Sequence, residues 1–215
     1  MDNIEDLVLT DLQKTLLESI SKNRYFTDHF YFAGGSALSA YYFQHRPSEN
    51  LEFFSESNFD QEQITSWQKT LPPNIKVLEM VKESRLGPLV LIMVQDGSDQ
   101  VLRLSFNFLP FRHLGNYCYL NSLRISSLED IAINKIKTIT KEARSRDYLD
   151  LMHSLTKLRW TDEEILRKYK TKFKSPLPVE DLKQSFSKIK STTDQPNFLG
   201  ETDWSAVKDF FQSRN

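Results

Sequence analysis

Two short stretches hold the side chains best suited to chemistry. Phe32-Ala33-Gly34-Gly35-Ser36-Ala37-Leu38 runs an apolar segment through two glycines and a serine into helix-forming residues, and Glu49-Asn50-Leu51-Glu52-Phe53-Phe54 follows shortly after. Glycines let the backbone approach a ligand with no Cβ in the way, and the free N–H groups at a helix start attract an anion. Ser36 adds a hydroxyl donor for a phosphate oxygen. Taken alone, the same three residues more often make a tight turn with a serine N-cap. In an extended segment residues i and i+2 share a face, so Asn50 and Glu52 point together while Leu51 and Phe53 point to the core. The pattern describes a phosphate-gripping turn beside a place for metal ligands.

Elements that can position these residues are readable from periodicity and punctuation. Thr10-Asp11-Leu12-Gln13 is a capping box, after which Leu12, Leu16 and Ile20 recur on one helical face. Phe30 to Ala33 reads as a strand, Ser36 to His45 as a helix ended by Pro47, and Leu51 to Phe54 as the next strand. Asp60 opens a helix that Pro72-Pro73 closes. Ile75 to Met80, Leu89 to Val94, Val101 to Leu109 and Tyr117 to Arg124 read as strands, with a turn at Asp96-Gly97-Ser98. After Ser126 the pattern becomes helical. Ser126-Ser127-Leu128-Glu129 reads as a capping box for a helix reaching about Arg144. Asp147 to Leu158, a helix capped at Thr161, Val179 to Ile189 and Trp204 to Phe211 follow, with a polar loop from Ser191 to Asp203. The expected fold class is α+β: a mixed β-sheet flanked by helices over residues 1–125, then a C-terminal helical bundle over 126–215 packed on that core.

Bulk properties narrow the function classes. The chain has 215 residues, enough for one domain with a helical appendage, and its 39% hydrophobic content argues against disorder. Basic and acidic residues number 28 and 29, so no overall field favours nucleic acid or anionic membrane, and a polyanion contact must be a local patch. No apolar run is long enough to span a bilayer, and Met1 to Asp6 lacks the basic and apolar regions of a signal peptide, so a cytoplasmic location and no membrane partner are expected. Cys118 alone permits no internal disulfide and reads as a small buried side chain. The four histidines show no metal-ligand spacing. The basic run from Arg167 to Lys174 reads as a solvated amphipathic helix, with an RNA or acceptor-phosphate contact as the other reading.

Gly34-Gly35-Ser36-Ala37-Leu38 followed by His45-Arg46-Pro47-Ser48-Glu49-Asn50-Leu51-Glu52-Phe53-Phe54 closely resembles the nucleotidyltransferases of the AbiEii/AbiGii toxin family, a branch of the DNA polymerase β-like nucleotidyltransferase superfamily. The family text there reads roughly Gly-Gly-Thr/Ser-Ala-Leu, then His-Arg-x-Ser-x-Asp-Leu-Asp-Phe-Phe. Glu129-Asp130-Ile131-Ala132-Ile133-Asn134-Lys135 is similar to the family's Asp-Ile-Ala-x-x-Lys helix, and Arg146-Asp147-Tyr148-Leu149-Asp150-Leu151 to its Lys/Arg-Asp-Phe-x-Asp-Leu. The likeness runs from about Phe30 to Asp150, with an echo from Asp203 to Phe211.

The resemblance implies a nucleotidyltransferase fold and a toxin that moves a nucleotide from an NTP to RNA or another acceptor, with a cognate antitoxin. It implies divalent metal, Mg or Mn, at Asn50 and Glu52, where the family has aspartates. It also implies phosphate contacts from Gly34, Gly35, Ser36, Arg46 and Lys135, and catalytic or ordering roles for Glu52, Lys135, Asp147 and Asp150. This chain departs from the pattern at the metal positions. Asn50 loses a full charge, and Glu52 lengthens its side chain by one methylene, roughly 1.5 Å of bond length, where magnesium wants ligands at about 2.0–2.1 Å. Val101 to Phe108 offers Arg103, Ser105 and Asn107 on its polar face, with no third carboxylate. Two readings stay open: an enzyme with a weakened, single-metal site, or a catalytically inactive nucleotidyltransferase fold kept for nucleotide binding or protein contact. Asp147 is equally a helix cap, and Asp150 equally a structural partner of Lys135 or Arg46.

Overall fold

Seven extended segments, alternating in burial along Asn50–Ser55 and buried throughout at Tyr31–Ala33, build one mixed sheet in the computed structural model, which describes residues 4, 7–82, 88–95, 97–98, 101–142, 144–194, 199 and 203–214. Part of the N-terminal segment, Asp96 of the expected turn, and residues 195–198 and 200–202 of the expected polar loop lie outside the described residues. The strands are β1 (Tyr31–Ala33), β2 (Asn50–Ser55), β3 (Ile75–Lys82), β4 (Leu89–Gln95), β5 (Val101–Phe108), β6 (Cys118–Leu120) and β7 (Leu123–Ile125), in spatial order β3-β4-β5-β2-β1-β7-β6. Pairs β2–β5 and β1–β7 are parallel, and the remaining pairs antiparallel. The α+β class with a mixed sheet is what the sequence predicts.

Two compact units make up the chain. The first comprises Met1–Tyr41, Ser48–Pro110 and Asn116–Ser126, and holds the whole sheet with α1 (Asp11–Ser21), α2 (Arg24–His29), α3 (Gly34–Ala37) and α4 (Gln61–Gln68). One sheet face is apolar. On it Phe106 stacks on Phe53 with centroids 5.4 Å apart, and meets Phe26 of α2 at 5.2 Å and Phe30 at 5.1 Å. From α1, Leu16, Leu17 and Ile20 are fully buried, which explains their helical spacing. The Thr10 capping box forms as predicted.

The second unit comprises Tyr42–Pro47, Phe111–Gly115 and Ser127–Asn215. It contains α5 (Leu128–Lys141), α6 (Ser145–Leu158), α7 (Asp162–Phe173), α8 (Val179–Ser187) and α9 (Trp204–Gln212). Its core joins Ile136 and Tyr148 to Phe186 and Phe211, with the Tyr148 hydroxyl donating to the Ser185 carbonyl at 2.6 Å. Among the described residues no helix is long and apolar enough to cross a membrane.

Several local expectations are corrected. The segment expected as one strand from Tyr117 to Arg124 is the hairpin β6–β7, because Asn121 takes a left-handed φ of 54° and reverses the chain. The helix expected over Ser36 to His45 begins at Gly34, widens into a π-helical run over Leu38–Phe43, and stops where Gln44 turns left-handed at φ 51°. The cap of α5 is Ser127, whose hydroxyl accepts the Asp130 N–H; Ser126 instead donates its own N–H to the Phe32 carbonyl. Helix α6 starts two residues early, and the last turn after α8 is 3-10. Cys118 is half-buried.

Phe106 is the shared contact of the aromatic cluster, so its truncation reports on the first unit. Phe106→Ala should cost about 3–5 kcal/mol, read as a lower urea midpoint with unchanged slope.

Candidate active site

In the first unit β1 ends at Ala33, which pairs with Glu52 across the antiparallel β1–β2 ladder. The next residue, Gly34, has φ 69°. That left-handed conformation is easy only for glycine. A Cβ built on Gly34 would lie 1.8 Å from Oε2 of Glu52 and 2.8 Å from its Cδ, so the carboxylate stands directly against the turn.

A chain of hydrogen bonds ties this turn to the start of β2. The Ser36 hydroxyl, almost fully buried, donates to the Asn50 carbonyl and shares a 3.0 Å hydrogen bond with the Ser48 hydroxyl. Ser48 accepts at its carbonyl from Nε2 of Gln13 at 2.6 Å, and Oε1 of Gln13 accepts the Thr10 N–H at 2.9 Å. The proton that the sequence offers to a phosphate from Ser36 is therefore committed to the backbone of β2. Gln13 was legible only as half of a capping box; its second bond, 35 residues along the chain, has no local signal.

The parallel β2–β5 register places Asn50 beside Arg103 and Glu52 beside Ser105. Asn107, two residues further on the same face, donates to the Phe53 carbonyl and to Ser105 Oγ, both at 3.1 Å. The face thus carries an amide, a guanidinium, two small polar groups and one carboxylate. Among the described residues no three His, Cys, Asp or Glu side chains gather as a ready-made metal cluster. Glu52 and the Asn50 amide oxygen still make two oxygen donors two residues apart on one strand face. Such a pair fits a single hard cation that draws the rest of its shell from water and phosphate.

The second unit gathers the other predicted residues around Asp150, which has no exposed surface. Arg46 grips its carboxylate through Nε at 2.7 Å and Nη2 at 2.8 Å, a two-pronged geometry suited to guanidinium. Nε2 of His45 lies 2.8 Å from Oδ1, and Nζ of Lys135 2.7 Å from Oδ2. Lys135 also binds Asp147 at 2.6 Å, while the other Asp147 oxygen accepts the Arg144 N–H at the start of α6. Burial alone would raise the Asp150 carboxyl pKa, but Lys135, Arg46 and His45 together hold it well below the usual carboxylate range. Burial also works against the Lys135 ammonium, yet Asp150 and Asp147 raise its pKa above the ordinary 10.5. His153 packs beside His45 with ring centroids 4.7 Å apart, and burial together with that neighbour lowers its pKa to about 4.

A further buried pair, Lys172 of α7 with Asp130 of α5, lies in the same unit; Asp130 also accepts the Leu114 N–H at 2.7 Å. The basic run in α7 is therefore not simply solvated. Lys172 is buried with Asp130, and Lys168 bonds Glu129 at 2.5 Å.

A family model described as the nucleotidyl transferase AbiEii toxin of a Type IV TA system matches residues 15–212. Among solved structures, that of JHP933 from Helicobacter pylori is similar over 96% of this chain and 91% of its own, with a TM-score of 0.61 and 17% identity. Another structure, of a proposed nucleotidyltransferase from H. pylori, is similar over 96% and 94%, with a TM-score of 0.61 and 18% identity. At such identities the likeness is one of fold. No curated protein matches in sequence.

Two measurements probe these geometries. Gly34→Ala should destabilise the protein by about 1–2 kcal/mol through its left-handed φ, and displace the Glu52 carboxylate, so urea unfolding should shift to lower midpoint. Acid stability should fall in two windows. Folded His153 stays neutral down to about pH 4 while the unfolded chain takes up a proton from about 6.5, so stability declines as pH drops between those values. The contribution of Asp150 is present above its unfolded value, about 3.9, and is lost as pH falls further toward its depressed folded value. His153→Gln should flatten the thermal-midpoint slope between pH 6.5 and 4; an unchanged slope would show that another group titrates there.

Proposed function

Because the chain belongs to the AbiEii nucleotidyltransferase toxin family, we propose that it transfers a nucleotide from an NTP to a hydroxyl of RNA or another acceptor, with a cognate antitoxin as partner. The observation that carries this reading is the Glu52 carboxylate standing against the left-handed Gly34 turn, with Asn50 on the same strand face. In the reaction, an acceptor hydroxyl bonds to the α-phosphorus as the bond to pyrophosphate breaks, and the hydroxyl proton passes to solvent. Glu52 and Asn50 would hold one Mg or Mn ion, which when bound neutralises phosphate charge and favours that attack.

The remaining roles fall to groups whose present partners are known. Backbone N–H groups of the Gly34-Gly35-Ser36 turn offer contacts to phosphate oxygens. The Ser36 hydroxyl fixes the turn against β2 and so positions Asn50. Within the second unit Lys135 is held between Asp147 and Asp150, and Arg46 is likewise engaged by Asp150, so either cation meets a phosphate oxygen only by exchanging a carboxylate for it. Asp147 and Asp150 are then positioning residues for these cations.

A second reading, nucleotide binding or protein contact without turnover, is favoured by one observation: Glu52 is the sole acid among the paired positions of β2 and β5. One assay separates the two. Purified protein with labelled NTPs, bulk RNA and Mg or Mn should yield labelled acceptor, whereas label-free acceptor under both metals, with no growth effect on expression, would leave the binding reading. Asn50→Asp with Glu52→Asp should tighten divalent binding and raise transfer if one missing charge limits the enzyme. Slower transfer by the double variant would instead mark Asn50 and Glu52 as an adapted pair.

A further inference from the structure

Nucleotide phosphates need positive charge, and the cations that sequence resemblance points to are already occupied. Arg46 forks onto Asp150, and Lys135 binds Asp147 and Asp150. Four groups, two cations and two carboxylates, balance to zero inside the second unit. Arg103 is different. It is exposed on β5, and it makes no ion pair or hydrogen bond among the described residues.

Its neighbours make that isolation informative. Across the parallel β2–β5 ladder it faces Asn50, and across the antiparallel β4–β5 ladder it faces Ile92. Neither neighbour is charged, so the cross-strand ion pair usual for a strand arginine has no partner. Glu52, one pair further along, turns its carboxylate to Gly34. Adjacent strands stand about 4.8 Å apart, so the guanidinium shares one small face with the Asn50 amide and the Glu52 carboxylate. A free, planar, always-charged fork with five donors matches phosphate oxygens better than any other side chain.

We propose that Arg103 is a phosphate-binding residue of the nucleotide site. Its guanidinium takes the terminal phosphates of a nucleoside triphosphate, and supplies at a fixed position part of the charge that a face with one carboxylate cannot recruit as metal. The neutral amide at Asn50 belongs to the same design, since a carboxylate there would stand in register with Arg103 and capture it. This inference rests on the nucleotide-binding half of the function proposed above, not on turnover.

The test is calorimetry on the full chain with each NTP, the matching nucleosides and inorganic tripolyphosphate, with EDTA and with Mg. Arg103→Gln should weaken NTP and tripolyphosphate binding about tenfold, the size expected for losing one charged phosphate contact, and leave nucleoside binding unchanged. Arg103→Lys should recover part of the loss. Asn50→Asp should weaken binding in EDTA by engaging the guanidinium. Because Arg103 is exposed and has no ion pair or hydrogen bond among the described residues, Arg103→Gln should keep the wild-type thermal midpoint. NTP binding that survives Arg103→Gln within twofold, or a wild-type protein that binds neither NTP nor tripolyphosphate, overturns the assignment. The transfer assay keeps the two proposals apart. Arg103-dependent binding without transfer upholds this residue and defeats the enzyme, while transfer indifferent to Arg103→Gln does the reverse.

Discussion

A carboxylate with no exposed surface is the strongest constraint in the helical unit. Taking Asp150 out of water costs several kcal/mol, and it stays ionised only because Arg46, His45 and Lys135 surround it. Those partners come from two places: the six-residue stretch Tyr42–Pro47 and helix α5. One buried charge therefore dictates that a loop from the early chain be embedded among the late helices. It also explains why Lys135 needs Asp147, since two cations against one carboxylate would leave excess positive charge in a dry place. Arg46, Lys135, Asp147 and Asp150 form a neutral set, and neutrality is what makes their burial tolerable.

The sheet unit solves a different problem with uncharged groups. Its turn must hold Gly34 left-handed and keep β2 in register, and the work is divided among Ser36, Ser48 and Gln13. Each has a partner, so the polar atoms are buried without loss. The consequence for chemistry is a preorganised backbone beneath Glu52, with the one acid among the paired positions of β2 and β5 set against a glycine.

Much of this was legible along the chain because it is local. The Gly34-Gly35-Ser36 turn, the alternation of Asn50 and Glu52, and the capping boxes at Thr10 and Thr161 depend on residues within a few positions. The hairpin at Asn121 escapes a local reading because Tyr117 to Leu120 is a continuous strand-forming run that resumes at Leu123, and no glycine marks the turn between them. The capping serine of α5 was misread because Ser126 and Ser127 are adjacent and both have an acid three residues on; burial of Asp130 against Lys172 decides between them. The pairing of Arg103 with Asn50 was beyond local reading altogether, since strand order sets it and no periodicity reveals strand order. The same holds for the partners of Asp150: their side-chain types were visible, while the choice of partner is a property of packing.

The distance along the chain between Arg46 and Asp150 also bears on the order in which the protein comes into being. They are 104 residues apart, and His45 and Asp150 are 105 apart. On a ribosome adding about 5–20 residues per second, His45 and Arg46 emerge at least several seconds before the carboxylate that holds them. By the end of that interval every strand of the sheet has been synthesised, whereas the segment Tyr42–Pro47 still has nowhere to dock. Loop closure over such a span is slow relative to local helix formation. The helical unit is therefore completed only after α6 has left the exit tunnel, and a truncated chain lacking it carries two stranded cations in place of a buried cluster.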